Sequence, residues 1–344
     1  MALFNWFGGP GPYTAARFWG PRGVPAGAGD TGVIGKGEVV VRNRQVAATF
    51  DLGGTDAGAP PVLDLVNATV AGLTMPNDLP AGPYATYAPQ TAPGEYGTVN
   101  VYGHSGIGRV SLGAYAGLSR APLPSGHGTL FAADTLAVNL QGAAALDASF
   151  DVAEGSALTV TGSAMSRLNA GGSVIAGGKA VINAPLAGGT ITMTNGVVSH
   201  EGFADVGTLE LGGRVGAGAT IDIDMGKLLI DKPLKFAGTL NIRATEGSSD
   251  PHAVSGTGTQ DVMLRGLAAS SYAFDDATHR LTLWSGDAVL DTIQFSAATT
   301  SNSFRMGPYA SVDVVQTAEG VQLRGIYGNS PAGSTEIPLR AATA

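Results

Sequence analysis

The stretch GGTITMTNG, residues 188–196, carries the pattern that decides the fold. Ile191 and Met193 alternate with threonines, and the run lies between Gly-Gly and Asn-Gly. Because successive side chains of a β-strand point to opposite faces, this alternation predicts a short, half-buried strand between two turns. The same pattern recurs in Glu38–Arg42, Thr98–Tyr102, Ala157–Thr161, Thr208–Leu211, Thr220–Met225 and Thr239–Ile242. No stretch of comparable length repeats every 3.6 residues, so we predict an all-β chain.

These segments recur at short intervals along the chain. They begin at Leu158, Val174, Ile191, Leu209, Ile221 and Leu240, which lie 16, 17, 18, 12 and 19 residues apart. Glycine-rich corners separate them, at Gly171–Gly172, Gly177–Gly178, Gly188–Gly189, Gly212–Gly213, Gly216 and Gly218. This arrangement is typical of a parallel β-helix (β-solenoid), in which each coil of the chain stacks on the previous one. A β-sandwich is the alternative, but its core uses more large aromatic residues than residues 130–245 contain. We therefore predict a β-helix over residues 26–245.

The repeats are similar to those of a known class of proteins. GGTITMTNG at 188–196 and GSALTVTG at 155–162 resemble the repeats of large bacterial surface adhesins and autotransporter passengers. The resemblance implies a right-handed parallel β-helix and a secreted or cell-surface location. It does not extend to the translocator barrel that follows such passengers, which has no counterpart among these 344 residues.

Composition excludes several classes of protein and partner. Of 344 residues, 52 are Gly, 13% are charged and 44% are hydrophobic, which excludes an intrinsically disordered chain and a coiled coil. The net charge of −8 makes nucleic acid and anionic membrane surfaces poor partners. The absence of cysteine excludes disulfides and thiolate metal sites. No apolar run reaches the ~18 residues of a membrane span.

The amino-terminal residues do not have the pattern of a Sec signal peptide. Residues 1–12 lack the basic region and apolar run of a Sec signal peptide. If the protein is secreted, we expect either an uncleaved carboxy-terminal signal or a signal peptide missing from the numbered sequence.

Residues 1–25 form a distinct segment that is rich in aromatic residues. The aromatic side chains are Phe4, Trp6, Phe7, Tyr13, Phe18 and Trp19, and glycines and prolines between them forbid a continuous helix. Exposed, these side chains form an interaction surface, so they are our predicted assembly contact. The alternative is that the segment folds back and caps one end of the core. The sequence is compatible with both interpretations.

The carboxy-terminal part divides into three predicted regions. Residues 246–260 have the Ser, Gly, Asp and Pro content of a linker. Residues 261–328 are again rich in strands and form a predicted small module, with a meander over Tyr272–Phe295. Residues 329–344 form a tail, either a flexible end or a docking strand.

Two aspartates are the only candidate catalytic residues. Asp222 and Asp224 are predicted to share one face of a strand about 7 Å apart, within the ~6.5–9.5 Å separation of the carboxylates in inverting glycosidases. The alternative is that they are simply solvated charges. Residues 157–242 contain no Trp or Tyr to stack on a sugar, which disfavours a polysaccharide-cleaving enzyme.

Other known site patterns are missing or lack their structural context. Gly27–Gly32 reads GxGxxG but follows a proline-rich loop instead of a strand and opens no helix. The five His residues are scattered, and the calcium-binding GGxGxDxUx repeat is absent. We predict no enzymatic activity, no cofactor and no metal site.

These observations favour an extracellular structural or adhesive bacterial protein. A stack of coils has two ends with unpaired backbone groups, and here each end carries its own specialised segment. We therefore predict end-to-end self-association into a filament or a surface array, such as a biofilm matrix, with a surface glycan as a second candidate partner. The alternatives are a carbohydrate-active β-helix enzyme, either a lyase or a hydrolase, and a phage-type receptor-binding spike.

Overall fold

The structure is a computed structural model, and it describes most of the chain. The described residues are 2–21, 23–53, 60–75, 91–92, 96–113, 131–132, 134–194, 206–224, 226–242, 260–297, 312–325, 337–338 and 340–341.

The described residues form thirty strands and two single-turn 3₁₀ helices, at Ala16–Phe18 and Pro233–Lys235. The first fifteen strands are β1 (Ala2–Asn5), β2 (Gly11–Pro12), β3 (Asp30–Val33), β4 (Glu38–Arg42), β5 (Gln45–Asp51), β6 (Val62–Val66), β7 (Thr69–Met75), β8 (Thr91–Ala92), β9 (Tyr96–Tyr102), β10 (His104–Leu112), β11 (Phe131–Ala132), β12 (Thr135–Leu140), β13 (Ala145–Ala153), β14 (Ala157–Gly162) and β15 (Arg167–Asn169). The others are β16 (Ser173–Ala176), β17 (Lys179–Ile182), β18 (Leu186–Thr194), β19 (Gly207–Leu211), β20 (Val215–Ile223), β21 (Gly226–Ile230), β22 (Thr239–Ile242), β23 (Gln260–Arg265), β24 (Ser271–Asp275), β25 (Arg280–Ser285), β26 (Ala288–Phe295), β27 (Val312–Gln316), β28 (Gly320–Gly325), β29 (Ile337–Pro338) and β30 (Arg340–Ala341).

The strands form two long sheets. The first has the order β1-β3-β5-β7-β10-β13-β15-β18-β20-β22-β26-β25-β24-β30, with β16 between β13 and β18. The second has the order β2-β4-β6-β9-β12-β14-β17-β19-β21-β23-β28-β27-β29, and β8 pairs separately with β11. From β1 to β26 in the first sheet and from β2 to β23 in the second, every neighbouring pair of strands is parallel. The prediction of an all-β chain is confirmed, and its sheets are largely parallel.

Inward-facing side chains of successive strands stack directly on one another. In the second sheet, one such column contains Leu63, Val99, Val138, Val160, Ile182, Leu211, Ile230 and Leu264. All of them are buried, and they belong to one hydrophobic core shared by both sheets. Full burial of each aliphatic side chain contributes about 1.5–3 kcal/mol. The period-2 alternation of the sequence is therefore the signal that places these residues in the core.

The repeat is longer than the sequence intervals indicated. Val138 pairs with Val160 and Val160 with Ile182, and both of these steps along the chain exceed every predicted interval. The step from Leu211 to its partner Ile230 equals the longest of them. The predicted intervals were mostly too short because they counted strands of both sheets as consecutive repeats. Leu209 lies in the second sheet, for example, and Ile221 in the first.

The predicted glycine corners have two different roles. Gly172, Gly177 and Gly189 have φ of 71°, 72° and 99°, the left-handed region that favours glycine. Gly213 instead lies where an added Cβ atom would collide with the carbonyl oxygen of Ala184. Two predicted corners are wrong: Gly188 and Gly189 lie within β18, and Gly216 and Gly218 lie within β20.

Both sheets continue across the predicted linker. β21 pairs with β23 and β22 with β26, both in parallel, and the strands beyond them are mostly antiparallel. β24, β25 and β26 form an antiparallel meander over Ser271–Phe295. Residues 246–259 of the predicted linker lie outside the described residues. In the predicted tail, the described residues form β29 and β30.

No helix among the described residues is long and apolar enough to cross a membrane.

Candidate functional site

Aromatic side chains of the amino-terminal segment close one end of the hydrophobic core. The indoles of Trp6 and Trp19 meet edge to face with ring centroids 5.0 Å apart, and Tyr13 packs on Phe50 at 5.8 Å. The Trp19 indole Nε1 donates a hydrogen bond of 2.7 Å to the Tyr13 carbonyl oxygen. Edge-to-face pairs of this kind contribute about 0.5–1.5 kcal/mol beyond their buried area. The cluster is therefore a cap that the chain builds for itself.

The structure separates the six predicted contact residues into two groups. Four of them, Phe4, Trp6, Tyr13 and Trp19, are buried in the core, and Phe18 is partly buried against it. Phe7 is 66% exposed, and Leu3 of the same segment is 57% exposed. Among the described residues of this segment, the large apolar side chains available to a partner are therefore Phe7 and Leu3. The sequence analysis did not single out Leu3 because it is not aromatic.

The two sheets end differently at the amino terminus of the fold. In the first sheet, the Trp6 N–H donates to the Val33 carbonyl oxygen at 2.8 Å. Backbone groups of a strand alternate in direction, so the N–H and C=O groups of Leu3 and Asn5 point away from β3 to the open edge. In the second sheet, the terminal strand β2 is only Gly11–Pro12, and it covers only Val39 and Val40 of β4.

At this end an open depression of about 540 Å³ lies between residues 10–14 and 38–44. Its lining residues are Pro10, Gly11, Pro12, Tyr13, Thr14, Glu38, Val40, Arg42 and Arg44. Glu38, Val40 and Arg42 alternate along β4 and therefore share its outer face. The Arg44 guanidinium lies 5.8 Å from the centroid of the Tyr13 ring.

Two residues around the depression have unusual polar groups. The hydroxyl of Tyr13 is buried and has no hydrogen-bond partner among the described residues. Burial raises the pKa of Tyr13 to about 12, although the charge of Arg44 opposes the shift. The pKa of Glu38 is also raised, first by burial and then by the charge of Asp64 and a hydrogen bond to it. Because its pKa is raised, the Tyr13 phenol is neutral at physiological pH.

Each sheet ends at the carboxy-terminal end in a strand of two described residues. In the first sheet, β30 pairs with Ser271 and Tyr272 of β24. In the second sheet, β29 pairs with Val315 and Gln316 of β27.

Charge is distributed unevenly between the two ends. Residues 1–50 carry five Lys and Arg against two Asp and Glu, whereas residues 51–344 carry 14 against 25. Residues 261–344 carry five basic and eight acidic residues. The amino-terminal end is thus the basic part of an acidic protein.

The candidate catalytic aspartates do not form a matched pair on one strand face. β20 ends at Ile223, so Asp224 lies beyond the strand, where its N–H donates to the Met193 carbonyl oxygen at 3.0 Å. Asp222 is only 7% exposed, and its Oδ1 accepts a hydrogen bond of 3.1 Å from the Asn241 amide. The expectation that Asp222 is solvent-facing is wrong, because its neighbours in the sheet cover it. No cluster of potential metal ligands is present among the residues that the structure describes.

One pair of titratable residues was missed by the sequence analysis. His104 Nε2 lies 2.9 Å from Asp147 Oδ2, and the Asn169 amide donates to Asp147 Oδ1 at 2.6 Å. The hydrogen bond from His104 holds the pKa of Asp147 below its usual value, with the Asn169 bond adding to it. Local sequence patterns hold no signal for this pair, because its members are far apart in the chain and meet only through the pairing of β10 with β13.

No protein-family model, curated protein or solved structure matches this chain.

Proposed function

We propose that this chain is a parallel β-helix of the kind found in bacterial surface adhesins and autotransporter passengers. Up to β23, and apart from the separate pair β8 and β11, strands alternate between two parallel sheets, with β15 and β16 consecutive in the first. This topology is what stacked coils of a β-helix require. In such proteins the sides of the stack are closed by corners, so the free backbone groups are concentrated at its two ends.

We further propose that the protein is an extracellular structural or adhesive protein that associates end to end. The observation that carries this proposal is the open edge of β1. Its four residues, Ala2–Asn5, contain neither proline nor charge, and the exposed Leu3 lies on it. Short strands, prolines and charges are the devices by which proteins protect sheet edges from other chains.

The second sheet has the protection that β1 lacks. Its terminal strands β2 and β29 are both two residues long, and each contains a proline without a backbone donor, Pro12 and Pro338. End-to-end contact through the first sheet is therefore favoured. In that contact β1 of one copy adds at the carboxy-terminal edge of the first sheet in the next copy, where β24 and the two-residue strand β30 lie. A contact between two different surfaces does not close on itself, so repetition produces a filament.

Charge supports the same arrangement. Residues 1–50 have a net charge of +3, and residues 261–344 have a net charge of −3. Opposite charges steer the two ends of neighbouring copies together and oppose contact between like ends. Salt screens such an attraction, so it weakens as ionic strength rises.

The experiment is a comparison of Leu3→Lys with Met165→Lys by sedimentation velocity over a wide range of protein concentration. Both side chains are exposed, Met165 by 70% but on the body of the fold, so each variant places the same charge on a folded surface. We expect the wild type and Met165→Lys to associate with concentration and Leu3→Lys to remain monomeric. Negative-stain images of the associating samples should show unbranched rods.

Two results contradict the proposal. A wild-type protein that is monomeric at every concentration excludes end-to-end association. A Leu3→Lys variant that associates like the wild type excludes the β1 edge as the contact. Obligate trimers in all three samples favour the receptor-binding spike instead.

The structure offers no specific support for a polysaccharide-cleaving enzyme. The carboxylate of Asp222 is covered and hydrogen-bonded to Asn241, and Asp224 lies outside the strand.

A further inference from the structure

A row of basic residues runs along one side of the fold. In the first sheet, His104 pairs with Ala145 and Ala145 with Arg167. One row of the core consists of the buried residues Leu168, Leu186, Val215 and Phe236, which pair one with the next. The residues that directly precede these four continue the outer row, so its members are His104, Ala145, Arg167, Pro185, Arg214 and Lys235. Neighbouring strands lie about 4.8 Å apart, so the row is about 24 Å long.

The basic members of this row are exposed and largely unmatched. His104, Arg167, Arg214 and Lys235 all reach solvent. His104 lies beside Asp147, whereas the other three form no ion pair with any residue that the structure describes. Three cations in one row are therefore available to an anionic partner.

The row lies at the connections that lead from the second sheet to the first. From β4 to β22 these connections are residues 43–44, 67–68, 103, 141–144, 163–166, 183–185, 212–214 and 231–238. They contain four Lys and Arg residues and a single acidic residue, Asp231, whose carboxylate is already paired with Arg265 at 2.7 Å. Positive charge is thus concentrated on this side of an acidic protein.

Exposed apolar side chains accompany the row. Tyr102 and Met165 each lie two residues before a basic member of the row, and Leu234 directly precedes Lys235. Their side chains are 39%, 70% and 68% exposed. Apolar side chains that are exposed together commonly mark a site of interaction. The side of the fold therefore offers both cations and apolar groups to a partner.

We propose that this row binds the surface of an anionic lipid membrane. Arg167, Arg214 and Lys235 contact headgroup phosphates, and Met165 and Leu234 insert at the boundary with the acyl chains. Basic side chains are attracted to anionic lipid, and apolar side chains between them add buried area. This interaction goes beyond end-to-end association, because it uses the side of the fold and leaves the edge of β1 free.

Net charge alone made an anionic membrane a poor partner, but the local charge favours it. At physiological ionic strength, salt screens exposed charges beyond about 8 Å, so acidic groups on other sides of the fold oppose the contact little.

Other partners fit the row less well. A soluble polyanion gains nothing from Met165 and Leu234. A second copy could offer acidic residues from the connections that lead from the first sheet to the second. Their described acidic residues up to β21 are Asp134, Glu154 and Asp224, and none of these is exposed.

The test is co-sedimentation of the full chain with vesicles of phosphatidylcholine alone, or of equal parts of phosphatidylcholine and phosphatidylglycerol. We expect binding to the anionic vesicles that weakens as salt rises, and at least tenfold weaker binding to the neutral ones. Arg167→Gln/Arg214→Gln should bind the anionic vesicles at least tenfold more weakly, because each cation near such a surface adds to the attraction. The matched control, Lys179→Gln/Lys227→Gln, removes two exposed charges from the second sheet and should bind like the wild type.

A second pair of variants tests the apolar contribution at constant charge. Met165→Ser/Leu234→Ser should weaken binding to the anionic vesicles at least threefold, because less apolar area is buried. Val289→Ser, at a side chain that is 60% exposed in β26, is its control and should bind like the wild type. Circular dichroism of each variant checks that it is folded.

Several results overturn the proposal. They are no binding to the anionic vesicles, equal binding to the neutral ones, or equal losses in the two variants that remove charge. If Met165→Ser/Leu234→Ser binds like the wild type, the row attracts anions through charge alone and the assignment to lipid is wrong.

Sedimentation velocity without lipid separates this surface from the contact between copies. If Arg167→Gln/Arg214→Gln loses self-association, the row belongs to that contact and the inference is wrong. A wild type that binds the anionic vesicles but never self-associates supports the inference and removes only the proposed end-to-end function.

Discussion

At the scale of single residues, Glu38 and Asp64 form a carboxyl pair on the outer face of the second sheet. Burial, the charge of Asp64 and a hydrogen bond to it all raise the pKa of Glu38. The folded protein therefore binds this proton more tightly than the unfolded chain, whose pKa is near 4.5. Stability from this group is fully present below that value and is lost as pH rises through the raised pKa.

Replacing Glu38 with Gln should increase stability at neutral pH. The amide keeps a donor to Asp64 and removes the repulsion, so we expect the free energy of unfolding to rise by about 0.5 kcal/mol at pH 7, as befits partly exposed charges. The gain should shrink towards zero at pH 4. Urea denaturation at both pH values measures it.

The control for this pair is Glu319→Gln, which makes the same chemical change at an exposed residue. It should change stability little at either pH. A loss of stability in Glu38→Gln at pH 7 would show that the ionised carboxylate is the favourable form, contrary to the prediction.

At the scale of elements, a ladder of polar side chains holds neighbouring strands of the second sheet in register. The Asn100 amide donates to Asp64 at 2.9 Å, the Asn139 amide donates to Asn100 at 3.1 Å, and the Thr161 hydroxyl donates to Asn139 at 2.9 Å. The ladder crosses β6, β9, β12 and β14. A slip of one residue would turn these side chains towards the core, so the ladder penalises wrong pairing.

Asn139→Ala should destabilise the fold more than Thr161→Ala. Asn139 lies within the ladder and makes two of its hydrogen bonds, whereas Thr161 makes one. With about 1 kcal/mol per bond, we expect losses of about 2 and about 1 kcal/mol in the free energy of unfolding. Equal losses in the two variants would contradict the prediction that stability follows the number of ladder bonds. Denaturant titrations of both variants decide the question.

At the scale of the whole molecule, one core extends from the aromatic cap to the carboxy-terminal meander. Trp6 and Trp19 lie at one end of this core, and Leu281, Leu283 and Phe295 belong to it at the other. The continuous pairing of β21 with β23 and of β22 with β26 joins the predicted carboxy-terminal module to the body. Unfolding of one part therefore exposes apolar surface of the next.

We expect the described fold to unfold in one cooperative transition. The variant Trp284→Phe removes the only tryptophan outside the cap, so its fluorescence reports the amino-terminal end alone. Its fluorescence midpoint in denaturant should coincide with the midpoint from far-ultraviolet circular dichroism, which reports all strands. Separate midpoints would show that the two ends of the sheets unfold independently, as in repeat arrays whose cooperativity breaks down.

Local pattern alone determined the strands. The predicted bounds Glu38–Arg42 and Thr239–Ile242 are those of β4 and β22, because alternation of side chains is a property of consecutive residues. The all-β character follows from the same signal. Glycine-rich corners likewise indicated where Gly172 and Gly177 adopt positive φ.

Tertiary structure decided everything that depends on which strands become neighbours. Pairing between strands that are distant in the sequence set the spacing of paired strands, covered Asp222, and brought His104 to Asp147. It also turned Trp6, Tyr13 and Trp19 inward while leaving Leu3 and Phe7 exposed. These outcomes depend on register between distant segments, and an aromatic or acidic residue has the same local pattern whether a neighbouring strand covers it or not.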